Sequence, residues 1–105
     1  MAQFSVHKNK NPKTRAAFPF LVNVQSDLLR DLRTRVVVPL VKQTTIGKKP
    51  MKDLTPVVDV EGHKYLMLTP QQAGIAVNDL GAEVGSVASS RDEIVAALDF
   101  LVTGI

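Results

Sequence analysis

Only one stretch of this chain has the periodicity of a helix, and it comes last. Ile94, Ala97, Leu98, Leu101 and Val102 recur at i, i+3, i+4, i+7 and i+8, which places them on one apolar stripe. Whatever precedes that helix must be built from short extended runs and turns. Ser90-Arg91-Asp92-Glu93 has the spacing of a capping box, so the Ser90 hydroxyl is expected to accept the Glu93 N–H, and the Glu93 carboxylate the Ser90 N–H. Gly104 offers the left-handed conformation that ends many helices, and Ile105 follows with a free carboxylate. A terminus tied to a helix presents its side chain in a defined place. Docking of Ile105 into the core is the competing expectation.

The extended runs are legible. Gln3 to His7 alternates and reads as a first strand. Lys8 to Arg15 is a basic loop rich in Asn, Pro and Thr, and Phe18 to Val24 is β-prone, so the two runs predict a long-looped hairpin. Pro19 suits the beginning of a strand. Arg35 to Val41 is a β-branched run and the plainest strand in the chain. Leu54 to Val60, Glu61-Gly62, and His63 to Leu68 predict a hairpin with a Gly-containing turn. Gln43 to Lys52 reads as an exposed loop, Thr69-Pro70-Gln71-Gln72 as one helical turn, and Gly74–Val77 and Ala82–Val84 as short strands. Many short strands closed by one helix predict a small β-barrel or curled sheet.

With 105 residues, 45% of them hydrophobic, residues 1–105 are expected to form one domain with a core that needs no staple. There is no cysteine, and two histidines cannot make an ordinary His/Cys zinc site, so neither metal nor cofactor is expected. The opening residues have neither the basic start nor the apolar run of a signal peptide, and no run approaches the ~20 apolar residues of a membrane span. A soluble, cytoplasmic protein is expected. Charge is divided unevenly along the chain. Residues 1–52 carry eleven Lys/Arg against two Asp, and residues 53–105 carry two against eight acids, +9 and −6 within a net +3. Such a basic half suits an acidic partner, polypeptide or nucleic acid, unless the halves pair across the surface.

No catalytic constellation stands out. Ser5 and His7 share a strand face, but two polar residues on an exposed strand face are commonplace. Gly81 and Gly85 do not lead into a phosphate-binding sequence. Metal-free RNA cleavage would need Arg or His beside a second acid–base group; Arg30, Arg33 and Arg35 near Asp27 and Asp31 read instead as a solvated loop. In the same loop Leu28 and Leu29 are adjacent, so on a strand one of them would face solvent. Exposed apolar pairs near another apolar feature mark partner sites.

Gln3-Phe4-Ser5-Val6, then Leu21 to Leu29 followed by Arg35-Val36-Val37-Val38-Pro39-Leu40, then Leu54 to Val58, Tyr65 to Thr69, and Glu93-Ile94 through Gly104-Ile105 together resemble the CcdB family of toxins that poison DNA gyrase. The resemblance spans nearly the whole chain and is weakest at 8–17 and 42–53. It implies an SH3-like β-barrel of the CcdB/Kid type, mainly β, with an antiparallel sheet, a small side sheet and one C-terminal helix. It further implies a homodimer without enzymatic activity that binds the gyrase A subunit and traps the DNA-cleaved complex. Carried over by position, the gyrase-facing set is Leu28, Leu29, Asp99, Val102, Thr103, Gly104 and Ile105.

The family is neutralised, and its transcription autoregulated, by a CcdA-like antitoxin with an acidic-leaning tail. Here Lys8, Lys10, Lys13, Arg15, Lys42, Lys48 and Lys49 would meet it, and DNA would be contacted only through gyrase or the antitoxin complex. One position departs from the family pattern. The familiar ending is aromatic-Trp-Gly-Ile, where Val102-Thr103-Gly104-Ile105 stands here, and a lost cation–π stack is worth roughly 2 kcal/mol. The alternatives are a MazF/Kid-like mRNA endonuclease, whose Arg-Gly and Arg-Pro signatures this chain lacks, and an attenuated homologue that mainly binds antitoxin.

Overall fold

The computed structural model describes residues 2–43 and 53–104. Ile105 and the 44–52 part of the expected loop, with Lys48 and Lys49, lie outside the described residues. Strands β1 (Ser5–Asn9), β2 (Phe20–Asn23), β3 (Thr34–Lys42), β4 (Val57–Val60), β5 (His63–Met67), β6 (Ala73–Ala76) and β7 (Leu80–Ser86) precede helix α1 (Arg91–Thr103). All pairing is antiparallel, in the order β4-β5-β3-β2-β1-β7, with β6 sharing one flank of β3 with β5. The result is a curled half-barrel with one C-terminal helix, as the sequence led one to expect. The side sheet is continuous with the main one through β3.

Pro39 lies inside β3, a central strand, where a proline is normally excluded. The register explains why it is tolerated. Val36 accepts Val24 N–H, so even-numbered residues of β3 turn their backbone groups toward β2 and odd-numbered ones toward the opposite flank. On that flank β6 pairs with residues 34–37 and β5 with residues 40–42. The missing N–H of Pro39 faces the junction between them, while its carbonyl accepts Leu68 N–H at 3.0 Å.

Cross-strand rows separate the sheet into two faces. Val6, Val22 and Val38 form one row, and Phe20 and Leu40 the next. They join Phe4, Val58, Val60, Tyr65, Met67, Val87 and Ile94 in the core, where Phe20 meets Tyr65 edge to face at 5.4 Å. Each such large buried side chain contributes about 1.5–3 kcal/mol. Helix α1 closes this face through Ile94 and Ala97, both fully buried, and packs against the 69–71 turn. The opposite face carries the buried polar residues Ser5, His7, Asn9, Asn23 and Arg35 beside the buried Val37 and Val41.

Two local expectations are corrected. Phe4 belongs to a turn and not to the first strand: it has φ 70, its N–H bonds Asn23 O at 2.6 Å and its carbonyl accepts Val87 N–H at 2.9 Å. Those two bonds and a ring buried to 3% exposure outweigh a left-handed conformation that costs about 1–2 kcal/mol. The capping box is absent. A short turn over Ala88–Ser90 precedes α1 and sends Ser90 N–H to Val87 O, leaving Ser90 at φ −100, ψ 19, outside the extended geometry a side-chain cap needs. Gly104 does end the helix left-handed, at φ 71. The Glu61-Gly62 turn has φ 52 and 82, positive at both central positions, as a tight two-residue hairpin requires.

Candidate functional site

The loop between β2 and β3 is held in shape by side chains, not by strand pairing. Where β2 ends, Gln25 takes its place: Oε1 accepts Val36 N–H at 3.1 Å and Nε2 donates to Leu29 O at 3.1 Å. Ser26 Oγ accepts Leu28 N–H, and Asp27 Oδ1 accepts Gln3 N–H at 2.8 Å. Arg35, buried to 7% exposure, donates from Nη1 to Leu32 O (2.5 Å) and Thr34 O (2.8 Å) and from Nη2 to Arg30 O (2.7 Å). The Asp27–Leu29 segment is consequently a helical turn, not the strand that would have hidden one leucine. Leu28 is 93% exposed, Leu29 50% and Leu32 52%.

Three exposed leucines on a loop braced by side-chain hydrogen bonds form an apolar knob of the kind that marks a partner site. Leu32 was missed by sequence reasoning, because only the adjacent pair drew notice. Arg35, expected in a solvated loop, is instead the buried brace of that loop.

The other residues expected to face gyrase lie at the end of α1. Asp99, Val102, Thr103 and Gly104 are all exposed. Val102, the last member of the apolar stripe, is 80% exposed. Thr103 Oγ1 donates to Asp99 O at 2.7 Å and Gly104 N–H to Phe100 O at 2.8 Å, which close the helix on itself. The knob and the helix end are thus secured by separate hydrogen-bond networks.

The basic residues are more scattered than the sequence implied. Lys8 is exposed on β1 and not in the loop, and Lys42 is exposed at the end of β3. Lys10 Nζ donates to Asn78 O at 2.7 Å. Lys13 and Arg15 are exposed on a loop that Asn9 organises from below, through Nδ2 to Thr14 Oγ1 (3.0 Å) and Phe18 O (2.8 Å). Between this loop and β6 runs a groove of about 530 Å³ floored by Leu21, Val37, Pro39 and Ile75.

Ser5 and His7 do meet, with Ser5 Oγ and His7 Nε2 2.8 Å apart, but they are buried and not on an exposed face. Gly81 O lies 3.1 Å from Nδ1, and a carbonyl only accepts, so Nδ1 carries the proton and Nε2 accepts from the serine hydroxyl. A hydroxyl at 2% exposure has no access to a substrate. The pair anchors β7 instead. Gly81 permits this approach, since a Cβ there would lie 2.5 Å from Lys8 O. No helix among the described residues is long and apolar enough to cross a membrane.

Comparison with known proteins bears on this arrangement. The family model described as CcdB protein matches residues 3–104. Among solved structures, an endoribonuclease in complex with its cognate antitoxin, from a mycobacterial species, superposes with a TM-score of 0.77 over 97% of this chain and 94% of that one. At 13% identity the likeness is one of fold.

Proposed function

Because the chain belongs to the CcdB family, and so is a toxin of the toxin–antitoxin kind, we propose that it acts as a homodimer that binds the A subunit of DNA gyrase and holds the enzyme in its DNA-cleaved state. On this reading it is a poison and not an enzyme, working in the cytoplasm where gyrase works. The observation that carries the reading is the braced leucine knob. Leu28, Leu29 and Leu32 offer an apolar surface that the fold itself does not use, and the exposed Val102-Thr103-Gly104 end of α1 offers a second.

Thr103 lacks the ring that stacks on a gyrase arginine in the family pattern, a difference of about thirtyfold in affinity at roughly 2 kcal/mol. The knob is the feature available to offset it. A cognate antitoxin is the second proposed partner, met first by Lys8, Lys10, Lys13, Arg15 and Lys42; the solved structure of like fold is itself a complex with its antitoxin.

That same likeness to an endoribonuclease favours one rival, cleavage of RNA. Against it stand the burial of the Ser5–His7 pair and the lack of Arg-Gly and Arg-Pro dipeptides. Purified protein incubated with gyrase, ATP and plasmid is expected to yield linear, protein-linked DNA while a parallel RNA substrate stays intact. Cleaved RNA with untouched plasmid would replace this reading with the rival. Neither product, with antitoxin binding retained, would mark an attenuated homologue.

A further inference from the structure

Strand β6 has an edge that nothing among the described residues covers. In the register Val37↔Ala73 and Arg35↔Ile75, continued by Val77 N–H on Arg33 O, the odd residues of β6 exchange backbone bonds with β3. The backbone groups of Gly74 and Ala76 therefore turn outward. Natural sheets blunt such edges with charges, prolines or bulges, yet Ala73-Gly74-Ile75-Ala76 has none of these.

At one end of that edge lies a cleft of about 490 Å³ lined by Arg30, Leu32, Arg33, Arg35, Ala76, Val77 and Asn78. Its lining includes three arginines and no acidic residue. Arg35 spends its donors on backbone carbonyls, which leave its charge uncompensated. The ion pairs among the described residues, Lys64–Asp59 and Arg91–Asp92, involve none of the three. Of the nearby acids, Asp27 accepts Gln3 N–H, and Asp31 is not part of the lining. Planar guanidinium forks match carboxylates in bidentate fashion.

We propose that β6 and this cleft form one docking site for an extended acidic peptide, which adds a strand to the β6 edge and places carboxylate side chains between Arg30 and Arg33. Backbone bonds from Gly74 and Ala76 supply register, and the arginines select the sequence. The cleft shares Leu32 with the knob but uses neither Leu28 nor Val102. Assigning the peptide to the antitoxin rests on the function proposed above; the site itself does not.

A fluorescent octapeptide of alternating Val and Glu serves as the probe, followed by anisotropy and by amide shifts in ¹⁵N-labelled protein at low salt. The Gly74 and Ala76 amides are expected to shift. The Arg30→Ala/Arg33→Ala variant, altered only at exposed residues, is expected to bind at least tenfold more weakly, as is Ala76→Glu, which sets a carboxylate at the cleft. A Lys-for-Glu peptide is expected not to bind. Four outcomes would overturn the proposal: unchanged binding by these variants, shifts confined to residues 8–15, tighter binding of an octameric oligoribonucleotide at the same amides, or a dimer in which those amides are already protected by a second copy. A failed titration beside intact gyrase poisoning would refute this site alone.

Discussion

The two faces of the β1–β3 sheet are built from the same three strands and do different work. Val6, Val22, Val38 and Leu40 point to one side, where α1 seals them in a dry core. Ser5, His7, Asn9, Asn23 and Arg35 point to the other, and their hydrogen bonds reach mostly into what connects the strands. Asn9 holds the 10–18 loop, Asn23 the Ala2 backbone through its O at 3.1 Å, His7 the start of strand β7, and Arg35 the leucine loop, where Gln25 joins it. Apolar burial is proportional to area and indifferent to direction, whereas hydrogen bonds specify position. One face is thus held by apolar burial, and the polar side chains of the other determine where the loops stand.

Substitutions on the two faces should separate these roles. The largest expected loss of stability is on the core side: Ile94→Ala should cost about 2–5 kcal/mol, read by denaturant unfolding, because it opens a cavity that the sheet cannot fill. Gyrase binding by the fraction still folded should be retained. Arg35→Met comes next, at about 3 kcal/mol for three carbonyls left without a donor. Here a loss of gyrase binding should accompany the loss of stability, since Leu32 and Arg30 are released. Gly81→Ala should cost about 1–3 kcal/mol by forcing β7 away from Lys8 O, visible as a lowered melting temperature. The smallest change in stability belongs to Leu28→Ala, under about 0.5 kcal/mol at a residue 93% exposed. Its effect on gyrase-dependent growth arrest should nonetheless be the clearest of the set. If Leu28→Ala poisons normally, the knob is not a binding surface.

How far the sequence revealed this division depends on the face. The core side was legible, because Arg35–Val41, the Glu61-Gly62 turn and the Ile94–Leu101 spacing each respond to local rules of propensity and period. The polar side was misread, since Ser5-Val6-His7-Lys8-Asn9 has the alternation of a strand with one wet face. Nothing local reveals that Ser5 and His7 will be buried, with the distant Gly81 bonded to the His7 ring. Phe4 failed for the same reason, overridden by backbone bonds to the distant Asn23 and Val87, whereas Ser90 was taken by a local turn in which its N–H bonds Val87 O. Of the candidate site, the Leu28–Leu29 pair and the helix end were visible as apolar residues in polar company. The bracing by Gln25 and Arg35 was not, for neither residue type announces a buried backbone partner.

If the leucine loop binds gyrase as proposed, it does so because its side-chain bonds hold it in place. Gln25→Leu tests it most directly, as it removes the side chain that bridges Val36 N–H and Leu29 O while leaving all three leucines. Binding of the gyrase A subunit to wild-type and Gln25→Leu protein should be measured side by side, both shown to be folded by circular dichroism. The account predicts at least tenfold weaker binding by the variant. Equal affinity, or no binding by the wild type, would contradict it.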